Sequence, residues 1–161
     1  MPKFTTRKAG TKFSFTEQMA VAFITQRRSS ILADKRVQLK VLFGQMSDLT
    51  APECNAKKCR CATPTLCCDA MYCEMALQFS KDFWNEDISD RMIPDQHLPF
   101  MGPGGCVLEP HLRPLCTLHT CEINAFGFKR GDPAWTKKYH DLRDKIDEVT
   151  YAVEKESCEK N

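Results

Sequence analysis

The residues in this chain with most chemistry in them are its ten cysteines, Cys54, Cys59, Cys61, Cys67, Cys68, Cys73, Cys106, Cys116, Cys121 and Cys158. Six fall within twenty residues, and the next three fall within sixteen. Clustered thiols have two principal fates. In an oxidising compartment they pair as disulfides, and in a reducing one they ligate metal or do redox chemistry. The basic start, Met1 to Lys12, is not followed by the apolar run of a secretory signal, and the longest apolar run, Met19 to Ile24, is far too short to span a bilayer. The chain is therefore expected in the cytoplasm, off the membrane, with its cysteines reduced and its thiolates available to a soft metal.

An iron–sulfur cluster needs about four converging thiolates, commonly from a short-spaced group and more distant residues. The dense group 54–73 and the later group 106–121 have that form. No Cys-x2-Cys occurs anywhere, so neither a zinc ribbon nor a RING pattern is present. Spacing alone points to metal and leaves iron–sulfur and zinc both open.

A second pattern is more specific. The adjacent pair Cys67-Cys68 is followed by Gly105-Cys106-Val107-Leu108, then Arg113-Pro114-Leu115-Cys116, then Cys121. Over about residues 54–121 this resembles the YkgJ-type cysteine-cluster family, a zinc- or iron-chelating domain. In that family a double cysteine precedes Gly-Cys-x-hydrophobic and Arg-Pro-x-x-Cys, often with one more cysteine. The resemblance implies Cys67, Cys68, Cys106, Cys116 and Cys121 as ligands, with Cys59 and Cys61 as additions. It departs upstream, where the family shows Cys-x2-Cys-x2-Cys-Cys and this chain spaces Cys59 and Cys61 differently. The implied cofactor is a cluster of the 4Fe–4S type, or zinc.

The other candidates sort by position. On a helix, Cys73 lies five and six residues past the double cysteine, and at about 100° per residue it points away from both. Cys73 therefore reads as a buried core thiol on the side of Leu66, Ala70 and Leu77. Cys158 reads as a non-ligand thiol, and Cys54 stays open. His119, between Cys116 and Cys121, leaves a mixed Cys/His site open but reads first as a surface or hydrogen-bonding residue. Arg113 has two roles open to it: hydrogen bonding that offsets thiolate charge, or a salt bridge at the turn after Pro110.

The elements that must position these residues are helical. Ser14 and Glu17 have capping-box spacing. Met19, Phe23, Ile24, Ile31, Leu39 and Leu42 recur at helical intervals after them, with a break expected at Arg27 to Ser30 and a stop at Gly44. Thr63-Pro64 opens a second helix over 64–84, with Cys67, Met71, Met75, Phe79 and Phe83 on one face. A long loop follows, Asp87 to Gly105, of a length tolerated when its end is pinned, and Cys106 stands at that end. Asp132-Pro133 starts a last helix whose Trp135, Tyr139, Leu142, Ile146, Val149 and Val153 form a heptad stripe, expected to pack on the N-terminal arm. The expected fold is mainly α, a small helical domain with an irregular Cys-rich metal-binding centre and N- and C-terminal helical arms. Its parts are a basic helical arm at 1–51, a cysteine-cluster domain at 52–131 and an amphipathic helix at 132–161.

Charge and motif content narrow the function. Residues 1–50 carry a net +6, whereas 51–130 and 131–161 each carry −2. A basic arm with Phe4, Phe13 and Phe15 interleaved suits nucleic acid, although no reader motif accompanies it. No nucleotide loop, Gly-rich fingerprint or nucleophile–base pair is present, and His97, His111, His119 and His140 have no nucleophile partner in any motif. The expectation is a structural metal centre, with the helical arms serving a protein partner and the chain not acting as an independent enzyme. Electron transfer or enzyme accessory work through an iron–sulfur cluster, and nucleic-acid binding through residues 1–50, are the alternatives.

Overall fold

The computed structural model describes residues 15–53, 70–94, 96–102, 105–118 and 127–158, with backbone alone at 15–18, 20, 21 and 158. Within them the protein is mainly helical, as its patterning predicts. Two long helices dominate: α1, Phe15–Thr50, and α4, Pro133–Cys158. Trp135 at the start of α4 donates its indole N–H to the Leu49 carbonyl near the end of α1 (3.2 Å). Lys35 bonds Glu156 near the end of α4 (2.6 Å). The two helices therefore run antiparallel.

The start of α4 follows from its sequence. The Asp132 carboxylate accepts the Trp135 amide (2.9 Å), which caps the first turn, and Pro133 adds no unsatisfied N–H there. Trp135, Tyr139, Leu142, Ile146, Val149 and Val153 are all buried, so the heptad stripe is the core face. Gly127 lies flat against the Tyr139 ring, and a Cβ there would come within 2.0 Å of two ring carbons.

The α1 reading needs correction. The helix is continuous through Arg27 to Ser30, a stretch with neither Gly nor Pro to interrupt it, and also through Gly44. Gly44 stays helical because Phe43 and Met46 beside it are buried, and tertiary packing outweighs the weak propensity of one glycine. The buried face is Leu32, Leu39, Leu42, Phe43 and Met46, while Met19, Phe23, Ile24 and Ile31 are exposed. The Lys35–Glu156 pair sets the end of α4 beside Lys35, and Leu32 is the first buried side chain among the described residues of α1. The Ser14 end of the capping box lies outside the described residues.

Between the long helices the elements are short. Helix α2, Ala70–Phe79, continues as a wider π turn, Ser80–Trp84, that ends in left-handed Asn85 (φ 56°). The expected helix over 64–84 is therefore present from Ala70 on, and residues 64–69 lie outside the described set. Its inward face is Cys73, Ala76, Ser80 and Trp84, whereas Met71 and Met75 of the anticipated stripe are exposed and Phe79 stacks on Phe83 at 5.0 Å.

The segment read as a loop is more ordered than expected. A 3-10 turn, Ser89–Arg91, is followed by the hairpin of β1, Met101–Gly102, and β2, Gly105–Cys106. Met101 pairs with Cys106 and Gly102 with Gly105 in antiparallel register. Ile88, Leu98 and Phe100 are buried, and Arg91 pairs with both Glu86 and Glu109. Apolar burial and these ion pairs pin the segment at several points. A second 3-10 turn, Pro110–Leu112, leads into α3, Pro114–Leu118, which packs against α1. Among the described residues no helix is long and apolar enough to cross a membrane.

Candidate metal centre

Of the residues assigned to a metal site by sequence, Cys59, Cys61, Cys67, Cys68 and Cys121 lie outside the described residues. Cys106, Arg113 and Cys116 lie within them, on the run that joins the hairpin to α3. All three belong to the segment carrying the Gly-Cys and Arg-Pro-x-Cys pattern.

Gly105 has φ +112°, a backbone region that side chains rarely adopt, so the residue before Cys106 is a glycine by conformational need. Cys106 then sits on β2, half-buried against the core. The Leu108 amide donates to its sulfur. The Leu108 carbonyl accepts from Nε of Arg113 (2.9 Å), so one residue links the thiol to the guanidinium. Burial pushes the Cys106 thiol above its ordinary value, and the nearby Cys73 adds to that rise. The Leu108 amide and the charge of Arg113 pull it back down. A thiol in this setting keeps its proton in water, yet it has an amide and a cation ready to stabilise the sulfur once a metal displaces that proton. Arg113 thus bonds a backbone carbonyl, and among the described residues no carboxylate pairs with it.

Cys116 is positioned from outside its own short helix. Thr117 is buried, and its hydroxyl donates to the Pro110 carbonyl (2.8 Å). The Thr50 hydroxyl of α1 donates to the Thr117 carbonyl (3.0 Å), and the Tyr139 phenol of α4 donates to the Leu118 carbonyl (2.7 Å). The five residues of α3 are thus held between both long helices, leaving Cys116 half-buried at their edge.

Cys73 is 4 % exposed and belongs to the core, where its helical offset put it, although Ala76, Ser80 and Trp84 share its face while Ala70 is exposed. Its influence on Cys106 brings the α2 thiol and the hairpin thiol into one neighbourhood. Sequence spacing missed that proximity, because it arises from the return of the chain through the hairpin. The role of the Leu108 amide was equally hidden, since a backbone donor two residues past a cysteine leaves no mark on residue type. Cys73, Cys106 and Cys116 are thiols, not disulfides. Among the described residues no three Cys, His, Asp or Glu side chains gather as a metal-binding group. No family model, curated protein or solved structure matches the chain.

Proposed function

We propose that the protein binds metal through cysteine thiolates, as an iron–sulfur cluster or zinc, with the centre serving a structural role. The ligands come from Cys59, Cys61, Cys67, Cys68, Cys106, Cys116 and Cys121, and Arg113 offsets their charge. The observation that carries this reading is the placement of three thiols that are not disulfides, Cys73, Cys106 and Cys116, on the segment from α2 to α3, with Cys73 near Cys106 and Arg113 bonded to the Leu108 carbonyl beside it. The likeness of the Cys67-Cys68, Gly105-Cys106 and Arg113-Pro114-x-Cys116 pattern to the YkgJ-type family supports it. Closed thiolate sites of this kind contribute to folding directly, by about 10 kcal/mol for structural zinc.

The partner is a protein met through α1. Met19, Phe23 and Ile24 are each more than half exposed near the start of α1, and exposed apolar side chains in a group favour a protein surface over phosphate.

The test is purification without oxygen, followed by visible absorption and assays of iron, zinc and sulfide. Matched iron and sulfide with broad visible absorption assign a cluster, and a colourless protein with stoichiometric zinc assigns zinc. Cys106→Ser and Cys116→Ser should each lower the bound metal, with the helical circular dichroism of α1 and α4 retained. A metal-free protein with Cys67, Cys68, Cys106 and Cys116 joined as disulfides would overturn the proposal.

A further inference from the structure

One cluster of polar side chains lies apart from the cysteines, where α1, the π turn and the Pro110–Leu112 turn meet. Trp84 and His111 are each 7 % exposed, with rings 4.7 Å apart in an edge-on arrangement. The indole Nε1 of Trp84, Nε2 of His111 and Nε of Arg36 are all buried without a hydrogen-bond partner. Three such nitrogens in one place run against the strong tendency of buried polar groups to be paired.

The surrounding charge has one sign. Arg36 reaches in from α1 and donates its terminal nitrogen to the Phe83 carbonyl (2.7 Å), beside Trp84. Lys40, one turn further along α1, holds its ammonium 5.4 Å from the Trp84 ring centre. Among the described residues neither Arg36 nor Lys40 has a carboxylate partner. The two carboxylates within electrostatic reach of His111, Glu86 and Glu109, are both taken by Arg91. The place is thus rich in N–H donors and positive charge, and poor in acceptors. A water molecule would satisfy a nitrogen or two and leave the cations uncompensated, whereas an anion with two or more oxygens would do both.

We infer that Arg36, Lys40, Trp84 and His111 form a binding site for a small oxyanion, of the phosphate or carboxylate type. The exposed Lys40 marks its way in from solvent. The four side chains share no residue with the cysteine set, so this site stands or falls apart from the metal reading. Burial and Lys40 hold His111 neutral, against the opposite pull of Glu109 and Glu86 and with Arg91 acting in the same sense as Lys40. A bound anion favours the protonated imidazole, so binding should tighten as the solution becomes mildly acidic.

The two tryptophans make the test internal. Full-length protein with nitrogen-15 in its indoles is titrated with phosphate, and separately with acetate, at constant ionic strength held by chloride. The Trp84 indole N–H signal should move saturably with at least one of the two. The Trp135 signal, whose N–H is already bonded to Leu49, should stay still. Lys40→Gln, at an exposed helix position, should weaken binding by about tenfold, and Lys40→Arg should retain it. Failure of both probes to saturate the Trp84 signal would overturn the proposal, as would a Lys40→Gln protein of unchanged affinity.

Discussion

The α1–α4 pair and the cysteine-bearing stretch from Ala70 to Leu118 are built on opposite plans. In the pair, one periodic stripe on α4 and five residues on α1 supply the contact, and each helix would be recognisable alone. In the stretch, α2 is ten residues, each strand is two and α3 is five, none long enough to persist in isolation. What fixes these pieces is single apolar residues without period, Ile88, Leu98, Phe100, Leu108 and Leu112, together with hydrogen bonds to the long helices. The comparison teaches where a metal would matter. The helix pair can stand on packing, whereas the thiol-bearing turns depend on the pair and have most to gain from a covalently anchored centre.

Breaking the pair should have the largest effect among single substitutions. Gly127 has φ +75°, and a β-carbon there would run into the Tyr139 ring from 2.0 Å away. Gly127→Ala should therefore cost about 3 kcal/mol or more, from strain at a left-handed backbone plus displacement of a core aromatic. Urea unfolding would read this as a lower midpoint. Because Tyr139 packs in the pair as well as bonding the Leu118 carbonyl of α3, the loss should be present in chelator-treated protein as well as in metal-loaded protein. A loss seen only in loaded protein would erase the division between the two regions.

Gly44 is the counterpart, with ordinary helical backbone and no atom within 4 Å of the position a Cβ would occupy. Gly44→Ala should stabilise the protein by about 1 kcal/mol, since alanine loses less conformational freedom on entering a helix. Hydrogen exchange should slow along α1. A destabilised Gly44→Ala protein would mean that this turn of α1 needs the glycine for a close approach.

These two glycines also mark how far the sequence could be read. Nothing in residue type separates them, yet one sits under a ring from a helix that follows it and the other mid-helix, and only tertiary structure tells which. The α4 stripe was fully legible because heptad spacing, an Asp cap and Pro133 all agree. The α1 stripe was legible only where a partner meets it, because Met19, Phe23 and Ile24 have helical spacing, yet they are exposed among the described residues. At the candidate centre, Cys106, Arg113 and Cys116 could be picked out as residue types in a pattern. The Leu108 link, the approach of Cys73 and the Trp84–His111 contact could not, since each joins segments through backbone or through a turn whose geometry leaves no periodic trace. The hairpin at 101–106 escaped for the same reason, two-residue strands being too short to show alternation.

The smallest effect belongs to His111, and its sign can be worked out. Burial, chiefly, and then Lys40 hold the imidazole below its ordinary value in the folded protein. In the unfolded chain it titrates at about 6.5. Between the folded and unfolded values the unfolded chain binds more protons, so stability rises with pH across that window. The contribution is therefore whole above the unfolded value and is lost as pH falls through the folded one. Urea unfolding from pH 8 to pH 5, in a buffer free of phosphate and carboxylates so that no oxyanion offsets the charge, should show this decline. His111→Gln should flatten it, and His97→Gln and His140→Gln, at exposed positions, serve as control variants. The decline should also appear first in the amides of the cysteine-bearing stretch, because His111 lies in the short turn that precedes α3 and makes its ring contact with Trp84. An equal slope in the His111→Gln protein would move the titration elsewhere and remove His111 from the contacts that hold this stretch against α1.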